Sequence, residues 1–231
     1  MKGAFLPGIL PFADLLRELF VVLTLAVAGY TDYRKREVDD KVWVVGSLAT
    51  APLLAATLAS LRLDLYLVSL TLAASLALFV WKFKLMGEAD AIALAFVGLA
   101  EPPSATSILT LIPLATIVTL AGLASLLYAL YNVALNIAKK PRFDGETSLL
   151  RRLVMLATMR YVNLEEYRRR SYMYAPVQGL EASSLIRVPE GEAPPLSEEF
   201  WAVVGLPYVT LLAVGYLLYL ALKHGSALLS V

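Results

Sequence analysis

Long apolar segments recur along almost the whole of this 231-residue chain, and they constrain its fold more than any other feature. Hydrophobic residues make up 59% of the sequence and charged residues 17%. Soluble domains are about half apolar and about a quarter charged. A single membrane anchor attached to a soluble domain would leave the other apolar segments in water. The chain is therefore predicted to cross a membrane several times.

The apolar segments, divided by charges, prolines and glycines, predict an all-α polytopic membrane protein with six transmembrane helices. The predicted spans are residues 15–31, 42–60, 65–83, 89–100, 107–138 and 200–223. The fourth span is short, because its residues rise only about 20 Å against a hydrocarbon core of about 30 Å. It either ends below the far surface or is shielded by neighbouring helices. Pro113 is expected to kink the fifth span near its start.

One longer polar stretch interrupts the helices and defines the predicted domains. Residues 1–138 form a membrane domain with helices 1–5, and residues 139–199 form a cytoplasmic segment between helices 5 and 6. Residues 200–231 contain transmembrane helix 6 and a C-terminal tail. Within the cytoplasmic segment, residues 147–170 interleave leucines with arginines, which is typical of a basic amphipathic helix on anionic lipid.

The basic residues are distributed unequally between the predicted loops. If the loops after spans one, three and five are cytoplasmic, 16 Lys and Arg residues lie inside and four lie outside. Ten of the 16 belong to the long segment between helices 5 and 6. This distribution predicts a multi-pass protein of the cell membrane with both termini extracellular.

The composition limits the chemistry that the chain can perform. It has no Cys and a single His, His224, which is expected to be solvated. Thiolate metal sites, disulfides and cysteine nucleophiles are therefore excluded, and we expect no metal and no organic cofactor. The net charge of +1 gives no reason to expect a nucleic-acid partner. Reactive groups are expected to be carboxylates or hydroxyls.

Two acidic residues, Asp32 and Asp90, lie at the cytoplasmic ends of predicted helices 1 and 4. A carboxylate in a membrane span is costly and usually faces the bundle interior or water. If helices 1 and 4 pack together, the two carboxylates cannot both ionise cheaply, and they can hold and activate a water molecule between them. Position alone fits simple interfacial charges equally well, and the sequence leaves that alternative open.

Two short motifs carry a family resemblance. Residues 31–38, Thr-Asp-Tyr-Arg-Lys-Arg-Glu-Val, resemble the first catalytic signature of the prepilin peptidases, and residues 87–90, Gly-Glu-Ala-Asp, resemble their Gly-x-Gly-Asp signature. The size, the six spans and residues 39–43 look most like the archaeal preflagellin (archaellin) peptidases. The resemblance implies a GxGD-type aspartic membrane protease that cleaves class III signal peptides at the cytoplasmic membrane face. Asp32 and Asp90 would be its catalytic dyad.

This sequence departs from the family pattern at two points. Gly87 matches the first glycine of the second signature, but Ala89 replaces the second glycine, and alanine tolerates positive φ poorly. The cysteine-rich cytoplasmic insert that bacterial relatives commonly carry with N-methylation is also missing. We therefore expect cleavage of the precursor without N-methylation.

The expected partners are the lipid bilayer and precursor proteins whose short signal peptides carry Lys or Arg before the scissile bond. Four acids near the dyad are candidates for binding those cations: Glu37, Asp39, Asp40 and Glu88. They serve equally well to balance the neighbouring basic residues Arg34, Lys35 and Arg36. The sequence leaves the oligomeric state and the choice of precursor open.

Two other functions remain open from sequence. In a small proton- or cation-coupled transporter, Asp32 and Asp90 would be ion sites, although both lie at one membrane face and no inverted repeat is evident. In a structural membrane subunit they would only contact lipid or neighbouring helices. Polar residues at helical spacing in span five are expected to form interhelical hydrogen bonds, namely Tyr128, Tyr131, Asn132 and Asn136.

Overall fold

The computed structural model describes residues 9–57, 62–104, 107–143, 148–176 and 199–229. The contacts divide the chain into two compact units. The first contains residues 1–124 and 207–231, and the second contains residues 125–206.

Helices form most of the described chain. In chain order the elements are α1 (Ile9–Lys35), α2 (Asp40–Thr57), α3 (Leu63–Lys82), α4 (Glu88–Ala100), α5 (Ile108–Leu111), α6 (Pro113–Lys139), α7 (Leu149–Thr158), β1 (Met159–Asn163), α8 (Leu164–Arg169), β2 (Tyr174–Pro176), β3 (Glu199–Val204) and α9 (Tyr208–Leu229). A short 3-10 turn at Ser171–Met173 precedes β2.

Three of these helices are long and apolar enough to span a membrane. They are α3, α6 and the part of α9 at Tyr208–Gly225. The structure therefore agrees with a mostly helical membrane protein, and the total of six spans stays a prediction.

In the first unit, α1 packs against α2 and α9, and α4 packs against α3, α2, α9 and α1. More than half of the side chains of α4 are buried, including Leu94, Phe96 and Val97. The 13-residue helix is therefore shielded by its neighbours, which was one of the two alternatives left open by its length. Gly98 allows the closest of these contacts, because a Cβ added there would lie 2.1 Å from the Cβ of Ala73 on α3.

Two predicted span boundaries are wrong. The span expected at 107–138 is not continuous, because α5 ends at Leu111 and Ile112 has a non-helical conformation. Pro113 does not kink α6 but is its first residue, where the missing N–H costs nothing. The span expected at 200–223 begins later, because Glu199–Val204 is a strand and α9 starts only at Tyr208.

The second unit contains an antiparallel sheet, so the expectation of an all-α fold is wrong for this unit. The strand order is β1-β3-β2, with Tyr161 opposite Trp201 and Tyr174 opposite Val204. Alternate side chains fill two small cores, one on each face of the sheet. Met155 of α7 and Phe143 cover the face that contains Trp201. The apolar run of β3 resembled the start of a membrane span because both of its faces are buried.

Asn136, near the end of α6, connects that helix to the rest of the second unit. Its Nδ2 donates to the carbonyls of Leu156 (2.9 Å) and Met159 (2.7 Å), and its Oδ1 accepts from the N–H of Tyr161 (3.0 Å). The bond to Leu156 of α7 confirms the interhelical hydrogen bonding expected for this residue, and the other two bonds go to the backbone where α7 passes into β1. The amphipathic helix expected at 147–170 is correspondingly shorter, since α7 ends at Thr158.

We predict that Gly98→Ala destabilises the protein by about 1–3 kcal/mol, because the new methyl group overlaps Ala73 and forces α3 and α4 apart. Thermal unfolding of the purified protein in detergent measures this. Ala73→Gly should rescue the variant by returning the lost space. Gly122→Ala is the matched control, because no described atom lies within 4 Å of the added Cβ there. Equal stability of the Gly98 and Gly122 variants would contradict the prediction.

Candidate active site

Asp32 lies in the last turn of α1, where its carboxylate meets the N-terminus of α9. The residue is 8% exposed. Its Oδ2 accepts hydrogen bonds from the N–H of Thr210 (3.3 Å) and from the Oγ1 hydroxyl of Thr210 (3.4 Å). The first N–H groups of a helix lack partners within the helix and carry partial positive charge, so this position stabilises an anion. Asp32 is therefore fixed by a second helix and is not a simple surface charge.

The contact between α1 and α9 depends on a glycine. A Cβ added at Gly29 would lie 3.1 Å from the Cα of Thr210, which is tighter than ordinary packing. The hydroxyl of Thr210 also donates to the carbonyl of Gly29 at 2.8 Å. Thr210 thus links two positions of α1 that are one turn apart, and this holds Asp32 in place.

Asp90 lies in the first turn of α4. Its Oδ2 accepts a hydrogen bond from the N–H of Gly87, the N-cap residue, at 3.0 Å. The side chain of the third helical residue thereby satisfies a backbone donor that the helix leaves unpaired. Gly87 has φ −65° and ψ 161°, a conformation open to any residue. A Cβ added at Gly87 would lie 3.5 Å from Asp90 Oδ2, an ordinary van der Waals distance, so space does not require glycine there either.

Ala89 causes no strain at the position where the family signature has its second glycine. The residue lies in the first turn of α4. In the part of the chain that the structure describes, the non-glycine residues with positive φ are instead Arg36, Lys84 and Lys140. The concern that alanine would be forced into an unfavourable backbone conformation therefore does not apply here.

The two aspartates lie within electrostatic range of each other, so that the charge of Asp32 acts on Asp90. The positive charge of Arg36 is close enough to act on both carboxylates. The guanidinium Nη1 of Arg36 lies 4.0 Å from Asp32 Oδ1. The hydrogen bonds described for the two aspartates all go to Oδ2. Those to Asp32 come from Thr210 at the N-terminus of α9, and the one to Asp90 comes from Gly87 at the N-terminus of α4. Each carboxylate thus has Oδ2 fixed by a backbone N–H, while Oδ1 of Asp32 faces the guanidinium of Arg36.

The four acids proposed to bind the substrate are all exposed: Glu37, Asp39, Asp40 and Glu88. Asp39 also has a structural task, because its Oδ1 accepts from the N–H of Lys41 at 2.9 Å at the start of α2. An aspartate at this position caps the helix. The substrate role of the four acids stays a prediction.

Two cavities adjoin these elements. A mixed cavity of about 500 Å³ lies beside the N-terminus of α4 and is lined by Trp81, Lys82, Lys84, Met86, Gly87 and Glu88. An apolar groove of about 440 Å³ runs between α1 and α2, from Phe20 to Lys41. In the described ranges, no group of His, Cys, Asp and Glu side chains has the arrangement of a metal site.

A buried ionic cluster joins α1, α4 and α9 at their other ends, and sequence reasoning missed it. Lys223 Nζ bonds to the carboxylates of Glu18 (2.7 Å) and Glu101 (2.6 Å). Glu101 is fully buried and also accepts from the hydroxyl of Tyr216 at 2.9 Å. His224 is more than half exposed, as expected for a solvated residue, and its Nε2 also lies 2.8 Å from Oε2 of Glu18. The signal in the sequence was the presence of acids and bases inside apolar runs.

Comparison with known proteins is consistent with this geometry. A family model described as the type IV leader peptidase family matches residues 19–133, which include both aspartates and all four exposed acids. A search of curated protein sequences finds no match.

We predict that Thr210→Val lowers the free energy of unfolding by about 1–3 kcal/mol, because it removes the hydroxyl bonds to Gly29 and Asp32 but keeps the side-chain shape. Thr210→Ser, which keeps the hydroxyl, should lose much less. Thr119→Val is the control, since its hydroxyl bonds only to Ala115 in the same helix and is exposed. Chemical unfolding in detergent measures all three, and equal losses for the two valine variants would refute the link.

Proposed function

Because this chain belongs to the type IV leader peptidase family, we propose that it is a membrane aspartic endopeptidase with Asp32 and Asp90 as its catalytic dyad. Its substrates are preflagellin (archaellin) and pilin-like precursors with short basic class III signal peptides. Cleavage takes place at the cytoplasmic membrane face and leaves the new N-terminus unmethylated. The observation that carries the proposal is that two carboxylates within electrostatic range of each other are each fixed through Oδ2 at a helix N-terminus.

The mechanism requires that one carboxyl group of the dyad is protonated and the other is ionised. In the first step the ionised carboxylate takes a proton from the bound water, whose oxygen attacks the carbonyl carbon of the scissile peptide bond. The protonated carboxylic acid gives its proton to the carbonyl oxygen at the same time. The product is a neutral tetrahedral diol, and the dyad again holds one proton.

The second step breaks the peptide bond. One carboxylate takes a proton from a hydroxyl of the diol while the other protonates the leaving nitrogen, so that the C–N bond cleaves to an acid and an amine. The dyad returns to its starting state of one shared proton. Fixed donors to Oδ2 support this cycle, because they hold the carboxylates without the cost of reorganising solvent at each step.

The surroundings of the dyad suit a precursor with a basic and an apolar part. Glu37 and Asp39 follow α1, Asp40 begins α2 and Glu88 begins α4. These exposed acids place negative charge beside the ends of the helices that carry the dyad. The apolar groove between α1 and α2 ends at Lys41, immediately after two of these acids. In the proposed complex the basic residues of the signal peptide contact the acids, and the apolar segment that follows lies in the groove.

We expect Asp32→Asn and Asp90→Asn each to lower precursor cleavage by at least about 100-fold, because neither amide can exchange a proton with water. Purified protein in lipid is incubated with a panel of class III precursors, and mass spectrometry maps the new N-terminus and detects any added methyl group. Asp64→Asn, an exposed acid at the start of α3, is the control. Folded yield in detergent shows that each variant is intact. Full activity in either dyad variant would eliminate the mechanism, and ion flux without cleavage would favour a transporter.

The exposed acids are tested by charge removal that spares the helix cap. Asparagine caps helices as well as aspartate does, so Asp39→Asn with Asp40→Asn removes charge but keeps α2 capped. We expect KM for a basic precursor to rise about 2- to 5-fold per carboxylate, as for exposed ion pairs. KM for a precursor with its basic residues replaced by glutamine should change little. Glu37→Gln and Glu88→Gln extend the series, and an equal effect on both precursors would refute substrate binding.

A further inference from the structure

Helix α7 has apolar side chains on two faces, and the sheet covers only one of them. Met155 is fully buried and packs against the sheet of the second unit. Leu149, Leu150 and Leu153 are 76%, 72% and 52% exposed. With 3.6 residues per turn, the three leucines share one side of the helix and Met155 points to the opposite side. The leucines are therefore a second apolar face of α7 and not part of its packing core.

The position of α7 along the chain brings this second face to the boundary of the membrane. Asn136 of α6 is fully buried and bonds to the carbonyl of Leu156 near the C-terminus of α7. Asn136 is one turn before the end of α6 at Lys139, and α6 is a helix long and apolar enough to span a membrane. The C-terminus of α7 is thus held at the level where α6 ends.

Two exposed basic residues accompany the exposed leucines. Arg152 flanks Leu149 on the helix, and its guanidinium lies 5.4 Å from the centre of the Phe143 ring. Lys140 follows the end of α6. Arg151 lies on the side of Met155 instead, and its Nε and Nη2 are buried. A helix with leucines on one side and an arginine beside them fits the surface of an anionic bilayer, where apolar side chains enter the acyl boundary and cations meet phosphate groups.

We propose that α7 is an interfacial helix that inserts Leu149, Leu150 and Leu153 into the cytoplasmic leaflet and binds anionic phospholipid headgroups through Arg152. Three features make the bilayer the partner of the exposed leucine face. The membrane surface lies where α6 ends, its interior is apolar beneath a charged surface, and its negative charge complements the positive charge of the helix. The surface includes no residue of the proposed dyad, so it goes beyond the proposed peptidase function and does not depend on it.

The absence of Cys from the chain permits single-cysteine labelling of the full-length protein. Leu150→Cys, Leu153→Cys and the control Thr158→Cys, an exposed position on another side of α7, are each spin-labelled in nanodiscs of mixed phosphatidylglycerol and phosphatidylcholine. Relaxation is measured with oxygen, which partitions into lipid, and with a water-soluble nickel chelate. We expect the labels at 150 and 153 to be more accessible to oxygen and the label at 158 to be more accessible to nickel.

The charged part of the proposal is tested in the same variants. Combining them with Arg152→Gln, or using phosphatidylcholine alone, should raise nickel accessibility at 150 and 153 at least about twofold. Nickel accessibility at 150 and 153 equal to that at 158 would overturn the proposal. Protection of both sites from both reagents would also overturn it, since protein would then cover the leucines. None of these outcomes depends on precursor cleavage, which is assayed separately.

Discussion

The ion pairs of Glu18 and Glu101 with Lys223 constrain this structure more than any other interaction. Each charge within an apolar bundle costs about 2.5–3.5 kcal/mol on insertion scales, and a buried charge that loses its partner costs several kcal/mol. The three side chains come from α1, α4 and α9, so these helices must meet at this end. At the other end, the narrow contact of Gly29 with Thr210 sets the distance between α1 and α9. Because helices are stiff, two fixed points determine their register, and that register brings Asp32 to the N-terminus of α9.

Helix α4 shows how a segment too short to cross a bilayer can still carry a functional carboxylate. Its first turn presents Asp90 to Gly87, and its last residue precedes Glu101, whose charge is paired inside the cluster. Between them, burial on most sides replaces the lipid contacts of a full span. The close contact of Gly98 with Ala73 belongs to the same arrangement, since small residues let membrane helices approach without a hydrophobic driving force. The short length is therefore compatible with a helix enclosed by protein.

The sequence was sufficient for several of the helices, because these depend on local patterns. Apolar runs predicted α3 and α4 to within two residues, and the paired motifs singled out Asp32 and Asp90 as the candidate dyad. Tertiary contacts could not be predicted in the same way. Phe200 and its neighbours look like a membrane span until β1 and β2 are placed on either side of them. Likewise, nothing local to Thr210 indicates that it would hold Asp32, since the two residues are 178 positions apart.

The backbone conformation of three of the basic residues that define the proposed orientation bears on why they are there. Among the described residues, the non-glycine residues with positive φ are Arg36, Lys84 and Lys140, with φ of 61°, 49° and 49°. Each follows the C-terminus of a long helix, where glycine is the usual residue because a Cβ costs about 1–2 kcal/mol in this conformation. A cation at each position offsets that cost in two ways, because it meets the negative end of the helix dipole and the anionic membrane surface. The three helices concerned are α1, α3 and α6, whose following loops are those proposed to be cytoplasmic. Glycine at these three positions would relieve the backbone strain, but it would also remove the positive charge. A basic residue in a strained conformation therefore fits a loop that has to keep positive charge at one membrane face.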